Sequence, residues 1–181
     1  MRLDSARLRK RADELGVTPE QLADAVERPG LKGAKALSAV RNWMAGRDHP
    51  RCKKTDIDRI SEALGVAPKD ICRFTSQVRH HRGSPRKAQL VADMIRGRHS
   101  DEALNMLQFS PQRAAVNMRK ALDAAIADAE INGADTTRCF VTECRVDNGK
   151  HIKRFRPKDR GRAHPILKRT SHITLSVQER A

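Results

Sequence analysis

The sequence predicts an α+β body, three helices packed on a small antiparallel sheet from which a long β-hairpin protrudes, preceded by a small all-α domain. Three observations carry this. Two proline-led amphipathic helix patterns follow residue 84, two segments near the C-terminus alternate with a period of two, and between those segments lies an intensely basic stretch.

The 181 residues are organised as two small domains, 1–74 and 75–181, with the boundary near Phe74–Gln77. Charge changes across it: 16 basic residues face 11 acidic ones over 1–76 and 21 face 11 over 77–181, that is +5 and +10. In the first part a helix from about Asp4 to Leu15 stops at Gly16, and Thr18-Pro19-Glu20-Gln21 caps a second carrying Leu22, Ala23 and Val26. A third places Leu37, Val40 and Met44 at helical spacing before Gly46, with Trp43 as core. Thr55 opens a fourth, with Ile57, Ile60, Ala63 and Leu64 inward and Gly65 at its end, and Pro68 starts a short turn carrying Ile71.

In the second part Ser84-Pro85 and Ser110-Pro111 each place a capping hydroxyl before a proline whose missing N–H costs nothing in a first helical turn. The first helix, Pro85 to about Arg96, aligns Ala88, Val91, Met94 and Ile95 and stops at Gly97. A shorter one follows Ser100, with Asp101 and Glu102 at its positive end. The third, Pro111 to about Asn132, aligns Ala115, Met118, Leu122, Ala125, Ile126 and Ala129, and its alanines suit close packing on a sheet. Phe140, Thr142, Cys144 and Val146 alternate with Val141, Glu143 and Arg145, and Ile173, Leu175 and Val177 repeat the period of two.

Between the strand patterns, Lys150–Arg169 holds nine basic residues and one acid, Asp159. A core is excluded. Because the segment is bracketed by strands and carries Pro157 and Gly161 near its middle, a projecting hairpin over about 147–170 is favoured over a solvated tail. Its eleven or so residues from Asp147 to the turn would reach on the order of 35 Å at roughly 3.3 Å each. Such an arm, cationic on all sides, calls for a surrounding polyanion.

The net charge of +15 points the same way, while aromatic residues at 3% leave base stacking on a sheet face poorly supplied. No run of about 20 apolar residues suggests a membrane span, and the first 30 residues lack the apolar core of a signal peptide, so a cytoplasmic location is expected. Cys52, Cys72, Cys139 and Cys144 lack zinc-knuckle spacing, and Cys139 and Cys144, five apart, should fall on opposite strand faces. Buried thiols are favoured over a metal site. His80 and His81 read as RNA contacts or strand-surface residues, and no catalytic group or cofactor is expected.

Five runs in the second part resemble the large-subunit ribosomal protein family L-twenty-two: Arg82 to Ala88, Glu102 to Leu104 continuing through Leu107 to Pro111, Lys153 to Pro157, Gly161 to Ala163, and Lys168 to Thr174. The resemblance covers about 77–180. It implies a structural protein whose hairpin lines the nascent-peptide exit tunnel, which supports subunit assembly and whose partners are large-subunit rRNA, other large-subunit ribosomal proteins and the nascent peptide. By it, Lys153, Arg154, Arg156, Arg160 and Arg162 belong at or near the arm's tip, with Lys150 and Lys158 on the same arm. Arg82, Ser84, Arg86, Lys87, Lys168, Arg169, Thr170, Ser171 and His172 would hold the body on rRNA. Two departures are Asp159 at the tip and Pro165 where a returning strand normally donates an N–H.

Residues 5–73, with Gln21-Leu22-Ala23 in the second helix and Trp43-x-x-Gly46 closing the third, resemble helix-turn-helix domains of the phage-repressor (Cro and cI) type. Glu27–Lys35 is longer than the usual turn. In a repressor the third helix would enter the major groove, and here that region offers Lys32, Lys35, Ser38 and Arg41. A packed helical module that is merely solvated or touches rRNA is favoured over a DNA-binding regulator, since +5 is modest and no dimerisation segment is evident.

Overall fold

Asp4 and Thr18 start the first two helices through their own side chains. In this computed structural model, which describes residues 1–180, Asp4 Oδ1 accepts the N–H groups of Ala6 and Arg7 at 3.0 and 3.3 Å and opens α1, Ser5–Leu15. Thr18 and Gln21 form a reciprocal capping box at the head of α2, Pro19–Ala25. Gly16 ends α1 in the left-handed region, at φ 64°, where a Cβ would be strained.

The chain divides into two compact units, one built on Met1–Phe74 and one on Thr75–Glu130 with Asp135–Arg180. In the first, a two-residue strand β1, Arg2–Leu3, pairs antiparallel with Cys72 and Arg73, the beginning of β2, Cys72–His81. Helix α3, Ala34–Met44, buries Ala36, Ala39, Val40 and Trp43. The apolar stripe is therefore turned by about one residue from the predicted Leu37, Val40, Met44, because Trp43, only 3% exposed, occupies its centre and donates its indole N–H to the Pro50 carbonyl at 2.6 Å. Helix α4 spans Lys54–Leu64 and α5 Pro68–Ile71. Thr55 does not cap α4; Asp56 reaches back to accept the Lys53 N–H at 2.9 Å, which moves the start one residue earlier.

Between α2 and α3 lies a built loop. Arg28 and Leu31 bridge antiparallel, Glu27 accepts the Gly33 N–H at 2.9 Å, and Arg28 Nη1 stands 3.2 Å from Oδ2 of the fully buried Asp56. Arg59 clamps the same loop by donating to the Glu27 carbonyl at 2.6 Å.

In the second unit α6, Pro85–Ile95, buries Ala88, Val91, Ala92 and Ile95, with Met94 half-buried. The Ser84 hydroxyl makes no capping bond. Helix α7, Ser100–Phe109, is tied down by Ser100, whose buried hydroxyl donates to the Thr136 carbonyl at 3.0 Å. Helix α8, Arg113–Ile131, starts two residues after the predicted Pro111. Ser110 sits at ψ 122°, because a proline disfavours helical geometry in the residue before it, so Ser110-Pro111 terminates α7 rather than opening α8. The buried face of α8 is Ala114, Ala115, Met118, Ala121, Leu122, Ala125 and Ala129, while Ile126 is half-buried.

The sheet of this unit runs β2, β6, β3. Strand β3, Cys139–Asn148, pairs antiparallel with β6, Ser171–Glu179, from Cys139↔Glu179 to Asn148↔Ser171. Side chains link β2 to β6: Thr75 Oγ1 lies 2.9 Å from Ser176 Oγ, and Gln77 Nε2 donates to Thr174 Oγ1 at 3.4 Å. Helix α6 is fixed over β3 by Gly97 N–H and Arg96 Nη2, which donate to the carbonyls of Val141 and Cys144 at 2.9 and 2.6 Å. A bulge between Val141 and Glu143 shifts the alternation by one residue. Cys139, Val141 and Cys144 are all buried, so the two cysteines share the core instead of taking opposite faces. Beyond this sheet, β4, Ile152–Pro157, and β5, Ala163–Lys168, form a two-stranded antiparallel ribbon.

Candidate nucleic-acid interface

The ribbon leaves the sheet through a narrow neck. Gly149 N–H donates to the Thr170 carbonyl at 2.9 Å, and Thr170 Oγ1 donates to the Lys150 carbonyl at 2.8 Å. Beyond it the register runs Ile152↔Lys168 to Pro157↔Ala163. At the end Lys158 N–H donates to the Arg162 carbonyl at 2.6 Å and Arg162 N–H to Asp159 at 3.1 Å, with Arg160 and Gly161 at φ 52° and 69°. The tip is thus Lys158, Asp159, Arg160, Gly161 and Arg162. Lys153 and Arg154 are mid-strand, opposite Leu167 and Ile166, so the tip is shorter than the resemblance implied.

Pro165 breaks no ladder bond. Lys158 and Arg162 form a hydrogen-bonded pair, and stepping back in register makes Phe155↔Pro165 a non-hydrogen-bonded pair, where the missing N–H would point outward.

Opposed residues in a ribbon project to the same side, so the arm has two unlike faces. One carries Ile152, Arg154, Arg156, His164, Ile166 and Lys168; the other carries Lys153, Phe155, Pro157, Ala163, Pro165 and Leu167. This corrects the picture of an arm cationic on all sides: the charge lies on one face and at the tip, while the opposite face holds a single cation. Period-two alternation within Lys153-Arg154-Phe155-Arg156-Pro157 carried that signal. Lys150, Lys153, Arg154, Arg156, Lys158, Arg160, Arg162, Lys168 and Arg169 are all exposed. Among the described residues none of them forms an ion pair.

On the body, Arg82, Arg86 and Lys87 are exposed and Ser84 half-buried around the start of α6. Arg82, Ser84 and Lys87 border a cleft of about 640 Å³ that also includes Leu90, Gln112 and Arg113. Arg113 was not singled out in the sequence; its place after Ser110-Pro111 was the available signal. His81 is buried, its Nδ1 2.6 Å from Asn117 Nδ2, so it is no strand-surface contact. Burial, then the nearby Arg113 charge, lowers its pKa from 6.5. His80 remains exposed and gives its N–H to His172 Nδ1 at 3.1 Å, the two rings standing edge to face. Thr170 and Ser171 are withdrawn from the surface set, since both are buried and the Thr170 hydroxyl is spent on the neck. His172 is half-buried.

In the first unit Lys32, Lys35, Ser38 and Arg41 are all exposed, the last three stepping by three along one side of α3. Burial is the main cause holding the thiols of Cys52, Cys72 and Cys144 up at about 12, far from the reactive thiolate. Among the described residues no three His, Cys, Asp or Glu side chains stand together to hold a metal ion, and no helix is long and apolar enough to cross a membrane.

A mixed α+β body presenting basic side chains on an exposed ribbon defines a charge-presenting scaffold. Residues 76–178 match the model of the family described as ribosomal protein L22p/L17e, and the chain belongs to that family. It is 47% identical over 106 residues to the "Large ribosomal subunit protein uL22" of Syntrophotalea carbinolica (strain DSM 2380 / NBRC 103641 / GraBd1), a match covering 58% of this chain and 96% of that protein. The family is a structural, non-enzymatic component of the cytoplasmic ribosome. Residues 1–75 lie outside the family match.

Proposed function

We propose that the chain binds large-subunit rRNA through its second unit, supports assembly of the subunit alongside other large-subunit proteins, and extends the 147–170 arm to line the exit tunnel beside the nascent peptide. The observation that carries this is the arm itself: nine exposed cations on a segment holding one acid, its strands paired with each other beyond the neck. Charge held this way is stable in a polyanionic surrounding and self-repelling without one. Arg82, Arg86 and Lys87 give the body a second basic patch beside α6.

The test is filter binding to deproteinised large-subunit rRNA at several salt concentrations. Each phosphate neutralised contributes roughly 0.7 to 0.9 to the slope of log K against log salt. Replacing Arg154, Arg156, Arg160 and Arg162 together with Gln should reduce the magnitude of that slope by about two to four. Parallel lines for the two proteins would remove the arm from the rRNA contact.

For the first unit, the exposed row Lys35, Ser38, Arg41, with Lys32 before it, supports a nucleic-acid contact on the third helix of a helix-turn-helix-like fold. The long α2–α3 loop departs from the repressor pattern, which favours a backbone contact over base reading. Replacing Lys35 and Arg41 with Gln should weaken binding of the full chain to rRNA and to duplex DNA alike. A loss confined to one DNA sequence would instead support the regulator.

A further inference from the structure

We infer that Phe155 and Pro165 form a stacking platform for an unpaired rRNA base, so that the arm grips RNA by two chemistries on its two faces. This rests on the rRNA-binding reading above and adds a ligand to the face that reading leaves unexplained.

Phe155 and Pro165 are directly opposed at a non-hydrogen-bonded position, where side chains of an antiparallel pair come closest. Phe155 is 76% exposed and Leu167, the next residue along the same face, 50% exposed. Around the pair lies an open hollow bordered by Lys153, Arg154, Ala163 and His164. Aromatic residues are scarce in this chain, yet one of its four Phe is held here almost wholly in solvent, with no core to serve.

Charge complementarity selects the occupant. Lys153 sits on the same face, Arg154 and Arg156 alternate with Phe155 along the strand, and Lys158, Arg160 and Arg162 crowd the tip. An apolar protein surface docked on Phe155 would have to bury Lys153 and approach the cations of the tip without neutralising them. A nucleotide meets both demands, since its base offers a π-face to the ring while its phosphate meets Lys153 on the same face and the cations of the tip. The Pro165 ring, fixed in conformation, completes a flat surface at little entropic cost.

The experiment compares the full chain with Phe155→Leu, Phe155→Trp and the double variant Arg154→Gln/Arg156→Gln in binding to deproteinised large-subunit rRNA across a salt series. Phe155 touches no core, so thermal unfolding of the free variants should match wild type. Phe155→Leu, which keeps the apolar surface but loses the π-face, should bind roughly tenfold more weakly with the salt slope unchanged. Phe155→Trp should bind at least as tightly as wild type. Wild-type affinity for Phe155→Leu would overturn the platform and assign the face to a protein or peptide partner. Equal loss in the Leu and Trp variants would overturn it in favour of shape-specific packing. An unchanged slope for the arginine variant would instead count against phosphate binding by the arm, and leaves the Phe155 result to be read separately.

Discussion

Thr170 Oγ1 stands 2.5 Å from the point where a Cβ on Gly149 would lie, and the Thr170 carbonyl carbon and oxygen are each 3.2 Å from it. Glycine at 149 is thus what lets the two strands close to the 2.9 Å hydrogen bond that forms the neck. Backbone cannot swing aside as a long side chain can. Gly149→Ala should destabilise the protein by about 1–3 kcal/mol, the range for overpacking a tight site. Thr170→Val, which leaves the Lys150 carbonyl without its hydroxyl donor, should cost about 1 kcal/mol. Urea denaturation of both variants measures this, and a midpoint unchanged for Gly149→Ala would mean the neck opens freely.

The first unit has its own weak point in the Arg28–Asp56 pair. Asp56 is fully buried and also accepts the Lys53 N–H, while Arg28 is 17% exposed and ties the α2–α3 loop to α4. Removing the guanidinium strands a buried carboxylate, a change that typically costs about 3–5 kcal/mol. Arg28→Met should therefore unfold or loosen residues 1–74 preferentially. Hydrogen exchange of the α4 amides checks it: faster exchange there with unchanged protection across Ala115–Ala129 is expected, and a uniform loss over both would contradict the independence of the two cores.

His81 should make stability depend on pH in a defined window. In the unfolded chain it titrates near 6.5, and in the fold burial followed by Arg113 lowers that value. The unfolded state therefore takes up the proton first. Its contribution is complete above about 6.5, declines as pH falls from there towards the folded value, and loses nothing further below it. Asn117, placed to donate to Nδ1, favours the same neutral ring. An NMR titration should find the His81 ring still neutral when free histidine is half protonated. In urea midpoints between pH 5 and 7, His81→Gln should flatten the pH slope, and a variant as pH-dependent as wild type would assign the effect elsewhere.

Capping chemistry was legible where it is most local: Thr18 and Gly16 act on backbone within four residues and the structure shows both doing so, whereas the Ser84 hydroxyl makes no capping bond. Where a second element had a stake, the local reading slipped. Ser110-Pro111 has the composition of a helix start but ends α7, and Thr55 loses the head of α4 to Asp56, whose role is fixed partly by Arg28 far away in sequence. The bulge after Val141 is invisible to a period-two count, which is why Cys139 and Cys144 were expected on opposite faces. The arm was found from charge and position, yet charge alone hid its polarity. Alternation along Lys153–Pro157 separates Arg154 and Arg156 from Phe155, and the register adds which residues of β5 join each side.

The last prediction concerns the arm's order in the free protein. Strands β4 and β5 pair only with each other, and of their side chains only His164 and Ile166 are half-buried. Two-stranded ribbons without a packed face are at best marginally stable in water, and here nine like charges add repulsion that salt screens only in part. The neck holds the ends by two hydrogen bonds but supplies no cover beyond Lys150. In RNA-free protein, amides of Ile152–Lys168 should therefore exchange at close to the unstructured rate, while those of Ala115–Ala129 on α8, whose inner face is fully buried, open only with the core. Raising salt should slow arm exchange modestly by screening the cations, and adding large-subunit rRNA should slow it far more. Strong protection of Ile152–Lys168 in the free protein would show that the ribbon is ordered by its own pairing, and the polyanion would then bind an arm already formed rather than fix its shape.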